Sequence, residues 1–339
     1  IVFNCIGTVA FMIILSVLQS VNAFGTKFWS MSVDSNIIAI FQTAFNLFTA
    51  VMLIPFTNLL VKLSMAIVKD EPEQALRHPE LHTLADNLYI SPAVALNEAT
   101  KAVAAMGVIA KENFARGCAQ LIEYEESKVQ EINLDEECLD DFADRSDRFL
   151  IGLSKVLENE SEDLQLDMVM QTIPNFERIG DYATNLVELG QKLKEDGATL
   201  SESAQKELDL IFGAVNEILS LTVEAFTNDN NDLAKKIEPL EEVIDDMVRI
   251  LKDRHTKRLK AGTCSISSGL VFMESLTYFE RAADQCSSIA VMMLARTNKS
   301  ILQNHYDYLR EIHSGNDAAY AAEKERRRQQ YILPLKEIN

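Results

Sequence analysis

Between Pro92 and the C-terminal tail the sequence contains only two prolines, Pro174 and Pro239, and few glycines. So few helix breakers, together with apolar residues that recur every three or four positions, make that region almost wholly helical in pattern. There is no glycine-rich loop of the kind that cradles phosphate, no Ser-His-Asp set and no Cys-His pair, so an enzyme is not expected. None of the five histidines follows a glutamate by three residues, and the Glu-x-x-His ligands of ferritin-like di-iron bundles are therefore missing. His78 and His82 are four apart, a spacing that suits a metal, but Pro79 stands between them. The five cysteines, Cys5, Cys118, Cys138, Cys264 and Cys286, form no Cys-x-x-Cys pair and read as reduced thiols in a cytosolic setting. Positive charge is also scarce: 32 Lys and Arg against 51 Asp and Glu leave a formal charge of −19. That balance argues against nucleic acid as a partner and suits a surface that attracts cations.

Charge of either sign is absent from residues 1–26 and again from Ser35 to Val61. Each run exceeds the roughly 20 apolar residues that cross a bilayer core, so two transmembrane helices are expected within residues 1–68. The first residue is Ile and no basic segment precedes the apolar run, which makes a poor signal peptide and points to a piece of a longer protein. Phe28 and Trp29 are placed as interfacial aromatics, and Lys62, Lys69 and Arg77 follow the second run. The positive residues put the C-terminal part on the cytoplasmic side of a cell (inner) membrane. Gln42, Asn46 and Thr49 recur at helical spacing, with Pro55 beyond them; such a line either bonds a neighbouring helix or faces a solute path. Phe3-Asn4 and Phe45-Asn46 open similar runs, which adds Asn4 to the candidates.

Residues 69–92, with Pro72, Pro79 and Pro92, read as a linker. Beyond it, six helices are expected near 93–130, 134–158, 161–195, 201–227, 231–261 and 264–297, with Asp196-Gly197 as a stop. They contain an internal repeat. Phe176-Glu177-Arg178-Ile179-Gly180-Asp181 returns as Phe279-Glu280-Arg281-Ala282-Ala283-Asp284, and Glu136-Glu137-Cys138-Leu139-Asp140-Asp141 returns as Glu241-Glu242-Val243-Ile244-Asp245-Asp246. The repeats are 93–197 and 198–300, each plausible as an antiparallel three-helix bundle. On the first Phe-Glu-Arg helix Ile173, Phe176, Gly180, Ala183, Val187 and Gly190 form the apolar line, and Glu177 and Asp181 are expected to look outward. Like charges four apart weaken a helix, which points to a cation or a basic partner opposite them. Residues 301–339 read as a tail, with an aromatic patch at Tyr306 and Tyr308 and a basic run, Lys324 to Arg328, on a solvated helix face.

Phe-Glu-Arg-x-x-Asp, twice in tandem three-helix units, resembles the PhoU domain, whose Glu-x-x-x-Asp motifs bind metal clusters. Phe3-Asn4-Cys5-Ile6-Gly7-Thr8, the run Ile38 to Asn46, Leu53-Ile54-Pro55-Phe56 and Ser91-Pro92-Ala93-Val94-Ala95-Leu96 resemble the C-terminal end of the bacterial sodium-dependent phosphate cotransporter family. Gln42 stands where that family usually has His, and no Gln-Ser-Ser-Ser motif occurs. The resemblance implies an all-α fold: transmembrane helices, then a PhoU-like tandem pair of three-helix bundles. It implies metal ligands at Glu177, Asp181, Glu280 and Asp284, joined by Glu136 and Asp140 and by Glu241 and Asp245. Helical geometry alone leaves Glu137, Asp141, Glu242 and Asp246 as an alternative set. All-carboxylate sites favour iron, manganese or magnesium over zinc. The implied function is a sodium-coupled symporter of inorganic phosphate with a cytoplasmic regulatory domain, which acts in a lipid bilayer and meets further copies of itself or a regulatory protein. The alternative is a membrane-tethered metal-binding regulator without transport of its own.

Overall fold

The structure, a computed structural model, describes residues 2–29, 35–54, 77–298, 301, 304–313 and 317–338. Those residues form helices and turns, and the chain divides into two compact units, Ile1–Leu76 and Arg77–Asn339. Pro55, Lys62, Lys69 and Pro72 lie outside the described residues, as do the side chains of Asn4, Phe28 and Tyr306.

The first unit contains α1 (Val2–Ser20), the single turn α2 (Thr26–Trp29) and α3 (Ser35–Leu53). Neither α1 nor α3 carries a charge, and 19 residues of helix extend about 28 Å, close to the thickness of a bilayer's hydrocarbon core. The two helices meet through Phe11, whose ring lies edge-on to Phe41, Phe45 and Phe48 at 5.5, 5.0 and 5.7 Å. The Trp29 indole N–H donates to the carbonyl of Ala23 at 2.7 Å, closing the turn between them.

The second unit begins at Arg77, inside the stretch read as a linker, and is anchored at once. Arg77, His78 and Arg116 converge on Asp135, whose side chain is 1% exposed. Burial opposes the charge on Asp135, but bonds from Arg77 and His78 and the positive field of Arg116 hold its pKa below the usual carboxylate range. Two 3-10 turns, Pro79–His82 and Asp86–Ile90, lead into α4 (Pro92–Ile122), where Pro92 occupies a first-turn position that needs no N–H. There follow α5 (Glu126–Leu153), α6 (Glu160–Glu195), α7 (Glu202–Thr227), the short α8 (Asn231–Ala234), α9 (Ile237–Lys260), α10 (Ile266–Thr297), α11 (His305–His313) and α12 (Ala318–Glu337). Asn159, Ser201 and Ser265 cap α6, α7 and α10 with their side-chain oxygens. After α6, Gly197 takes the left-handed conformation (φ +58°) and the Ala198 N–H reaches back to the Leu193 carbonyl, so the expected stop is a Schellman turn.

Besides the second helix, which runs Glu126–Leu153 rather than 134–158, three features differ from the sequence pattern. The first helix ends at Ile122 rather than near 130, although Glu123-Tyr124-Glu125-Glu126 contains no breaker. Ending there lets Val129 and Ile132 of α5 pack with Tyr124 against Ala183 and Val187 of α6. The expected helix 231–261 is two helices, because Pro239 has no N–H and its ring would strike the carbonyl four residues back; α9 restarts at Ile237 with Pro239 in its first turn. The third difference is the tail. Its basic run is not a solvated face, since α12 packs along α9 and α7 and buries Arg327, Tyr331, Ile332 and Leu335.

Helices α4, α5 and α6 form the first repeat and α7 to α10 the second. The third helices, α6 and α10, lie against each other, and one apolar core runs through both repeats. The phenylalanine of each Phe-Glu-Arg motif reaches across: Phe176 of α6 meets Phe226 of α7 at 6.0 Å, and Phe279 of α10 meets Phe114 of α4 at 6.1 Å. Two glycines let α4 and α6 approach closely, since a Cβ at Gly117 would lie 2.6 Å from the carbonyl oxygen of Ala183 and one at Gly190 2.2 Å from that of Gln120. Helices α4 and α7 are long and apolar enough to cross a membrane, yet both contribute heavily to this core.

Candidate metal centre

The apolar line of α6 is buried as expected, from Ile173 to Gly190. The acids beside it gather at the surface, with Asp140, Asp245 and Asp284 exposed and Glu136, Asp181 and Glu241 half-buried. Asp181 meets Glu136 and Asp140 of α5, and one carboxylate oxygen of each lies within 4.8 Å of the others. In the second repeat Asp284 of α10 meets Glu241 and Asp245 of α9 in the same way. Each triad thus takes two acids four apart on the second helix of its repeat and one from the third. The other two expected ligands stand one turn away. Glu177 adjoins the first triad, half-buried, and Glu280 is paired with Lys252 at 2.8 Å.

Among the described residues, no Lys or Arg forms an ion pair with any of the six triad acids, and their ionisation is resisted. Burial first, and then Asp140 and Asp181, raise the pKa of Glu136; burial and Asp144 raise Asp140; burial and Asp140 raise Asp181. The second triad is more strained. Burial, with Glu238 and Asp245 nearby, pushes Glu241 up to about 9, and burial with Asp284 pushes Asp245 up to about 6. Asp284 is raised by burial and Glu280, partly offset by a hydrogen bond with Glu241. Three converging oxygen donors with unbalanced negative charge, and no thiol or imidazole among them, fit a hard divalent cation.

The neighbouring acids, which helical spacing could not separate from these, are sorted by the packing. Glu137 and Asp141 are exposed on the outer face of α5. Glu242 bonds Tyr320 and Lys324, and Asp246 bonds Arg249 and Arg328. In the first unit Gln42 and Asn46 are exposed on α3 and Thr49 is 1% exposed. His78 bonds Asp135 and Glu80 rather than His82.

The family model described as the PhoU domain matches residues 103–190 and 208–293, together just over half of the chain. The chain belongs to the PhoU domain family. It is 27% identical over 146 residues to the phosphate-specific transport system accessory protein PhoU homolog 1 of Thermotoga maritima, a match covering 43% of this chain and 60% of that protein. The protein of the same description from Methanothermobacter thermautotrophicus is 24% identical over 171 residues, 50% of this chain and 77% of its own. Among solved structures, the phosphate transport system regulatory protein PhoU from Streptococcus pneumoniae superposes with a TM-score of 0.55 and PhoU from Pseudomonas aeruginosa with 0.57. Each is 17% identical and covers 62% of this chain and 98% of the other. At that identity the likeness shows the fold: all-α, with PhoU repeats in tandem.

Sequence reasoning misses two features at the second PhoU repeat, one within it and one in a helix beyond it. Glu238 is 7% exposed beside Glu241 and accepts from the Ser287 hydroxyl and from the His313 ring at 2.8 Å. Its counterpart 105 positions earlier is Asn133, so the repeat pattern gives no signal for it. The second is α12. The Tyr, Lys and Arg that it sets four and three apart could have signalled a docked face, because the matching acids of α9 share that spacing.

Proposed function

We propose that this chain is a PhoU-type regulator of phosphate transport, whose second unit binds a divalent cation at each triad and whose first unit holds it at a membrane. The observation that carries the metal reading is the repeated triad, built twice from the same helix pair with its charge left unbalanced. Glu136, Asp140 and Asp181 would hold one ion and Glu241, Asp245 and Asp284 the other, with iron, manganese or magnesium as the matching hard cations. The ion would supply charge neutralisation that locks the second and third helices of each repeat together. The link to phosphate transport draws on the family and on the printed roles of the relatives. The membrane reading draws on α1 and α3, both uncharged over 19 residues.

The test pairs two measurements. Elemental analysis of purified protein is expected to find one iron, manganese or magnesium per triad. Glu241→Gln with Asp284→Asn should lose the second ion, and cells carrying that variant should lose phosphate-dependent control of radiolabelled phosphate uptake. Metal-free protein, or normal control of uptake by a variant shown to lack metal, would overturn the proposal. A second reading, sodium-coupled phosphate symport by the full-length protein, draws on Gln42, Asn46, Thr49 and Asn4 of the charge-free helices. Uptake by that protein that ignores external sodium excludes it.

A further inference from the structure

Helix α12 lies beyond the family match and shows what one face of a repeat can hold. Arg327, 2% exposed, bonds Glu217 of α7, which also accepts from Gln330 at 2.9 Å and from the Tyr331 hydroxyl. Lys324 and Tyr320 bond Glu242, and Arg328 bonds Asp246, both on α9. Three acids on two neighbouring helices therefore grip one basic helix.

The first repeat carries the same three acids. Glu112, Glu137 and Asp141 stand 105 positions before Glu217, Glu242 and Asp246, in the register in which residues 103 and 208 open the two family matches. Glu112 lies on α4 and the other two on α5, the counterparts of α7 and α9. Within the second unit, no helix among the described residues covers them. Glu112 and Glu137 are exposed, the Asp141 side chain is 60% exposed and meets only Arg145 of its own helix, and Val108 and Leu134 nearby are 36% and 38% exposed.

We infer that this face of the first repeat docks a basic amphipathic helix supplied by another protein, with Lys and Arg in the register of Lys324, Arg327 and Arg328. The same acid set holds such a helix in the second repeat, which ties the acids to a ligand of known shape and charge. This chain's own α12 is committed elsewhere through the buried Arg327, and a surface of three carboxylates repels anionic lipid and nucleic acid. The inference stands on the duplicated acids and does not require either triad to hold metal.

The probe is a fluorescein-labelled synthetic peptide spanning Ala318–Glu337, titrated onto the full chain in detergent and followed by anisotropy. Saturable binding is expected, weakened about tenfold or more by Glu112→Gln with Glu137→Gln and Asp141→Asn and absent for a peptide carrying Lys324→Glu, Arg327→Glu and Arg328→Glu. The three substitutions are isosteric and exposed, and an unchanged melting curve confirms an intact fold. No saturable binding to the wild-type chain overturns the inference. So does binding that survives those substitutions but vanishes with Glu217→Gln, Glu242→Gln and Asp246→Asn, since the peptide would then be exchanging with α12.

Discussion

Glu241 combines burial with like charge. Its carboxyl titrates at about 9 in the folded protein, against 4.5 for an unperturbed glutamate. Between those values the folded state keeps a proton that the unfolded chain has released, so metal-free stability falls as pH rises through the window. Asp245, raised from 3.8 to about 6, adds to the fall at its lower end. Glu241→Gln removes the ionisation. In chelator at about pH 8 it is expected to stabilise the protein by about 1–2 kcal/mol in denaturant melts, and at about pH 4, where both states are protonated, to change little. A variant no more stable than wild type at the higher pH would mean that the folded carboxylate is already satisfied. Since a cation must displace the shared proton, metal affinity should rise over the same window.

Helix packing in this fold discriminates between glycines that look alike in the sequence. A Cβ at Gly190 meets backbone, the Gln120 carbonyl oxygen at 2.2 Å, which cannot retreat without moving α4. A Cβ at Gly180 meets Cδ1 of Leu139 at 2.5 Å, the far end of a side chain that can change rotamer. Gly190→Ala is therefore expected to destabilise by about 1–3 kcal/mol and Gly180→Ala by less, as chemical denaturation will show. Equal costs would mean that α4 and α6 adjust as rigid bodies. The docking of α12 divides in the same way. Arg327→Ala leaves Glu217 without its buried partner and should cost about 3 kcal/mol, whereas Lys324→Ala, at a 29% exposed side chain, should cost about 1 kcal/mol or less. Melting curves that rank the two the other way would place the anchoring of α12 at its exposed pairs.

At the scale of the molecule, the tandem bundles share one core. Phe176 with Phe226 and Phe279 with Phe114 cross between them, and α6 lies along α10. Each repeat buries apolar residues against the other, so residues 77–338 should unfold in a single transition by circular dichroism and by calorimetry. Residues 92–197 expressed alone should be molten or aggregated. Two resolved transitions, or a well-folded isolated repeat, would contradict a shared core. The clasp of Arg77 and His78 on Asp135 belongs to the same body and ties the start of the second unit to α4 and α5.

The sequence by itself determined the helical class, the tandem repeat, the buried line from Ile173 to Gly190 and the stop at Gly197. Each is a local or periodic property: spacing places side chains on a helix face, and duplication of a motif duplicates its geometry. Tertiary structure alone decided which of the paired acids on α5 and α9 turn toward the third helix and which turn away. Adjacent residues on a helix differ in direction by about 100°, and only the packed neighbour says which direction is inward. It also ended the first repeat's opening helix at Ile122 without any breaker, because Val129 and Ile132 had to reach α6, and it turned a basic run that reads as solvated into a helix held by acids far away in sequence. The matched spacing on α9 and α12 names its partners only once the two helices are packed, because nothing in the chain between them links one to the other.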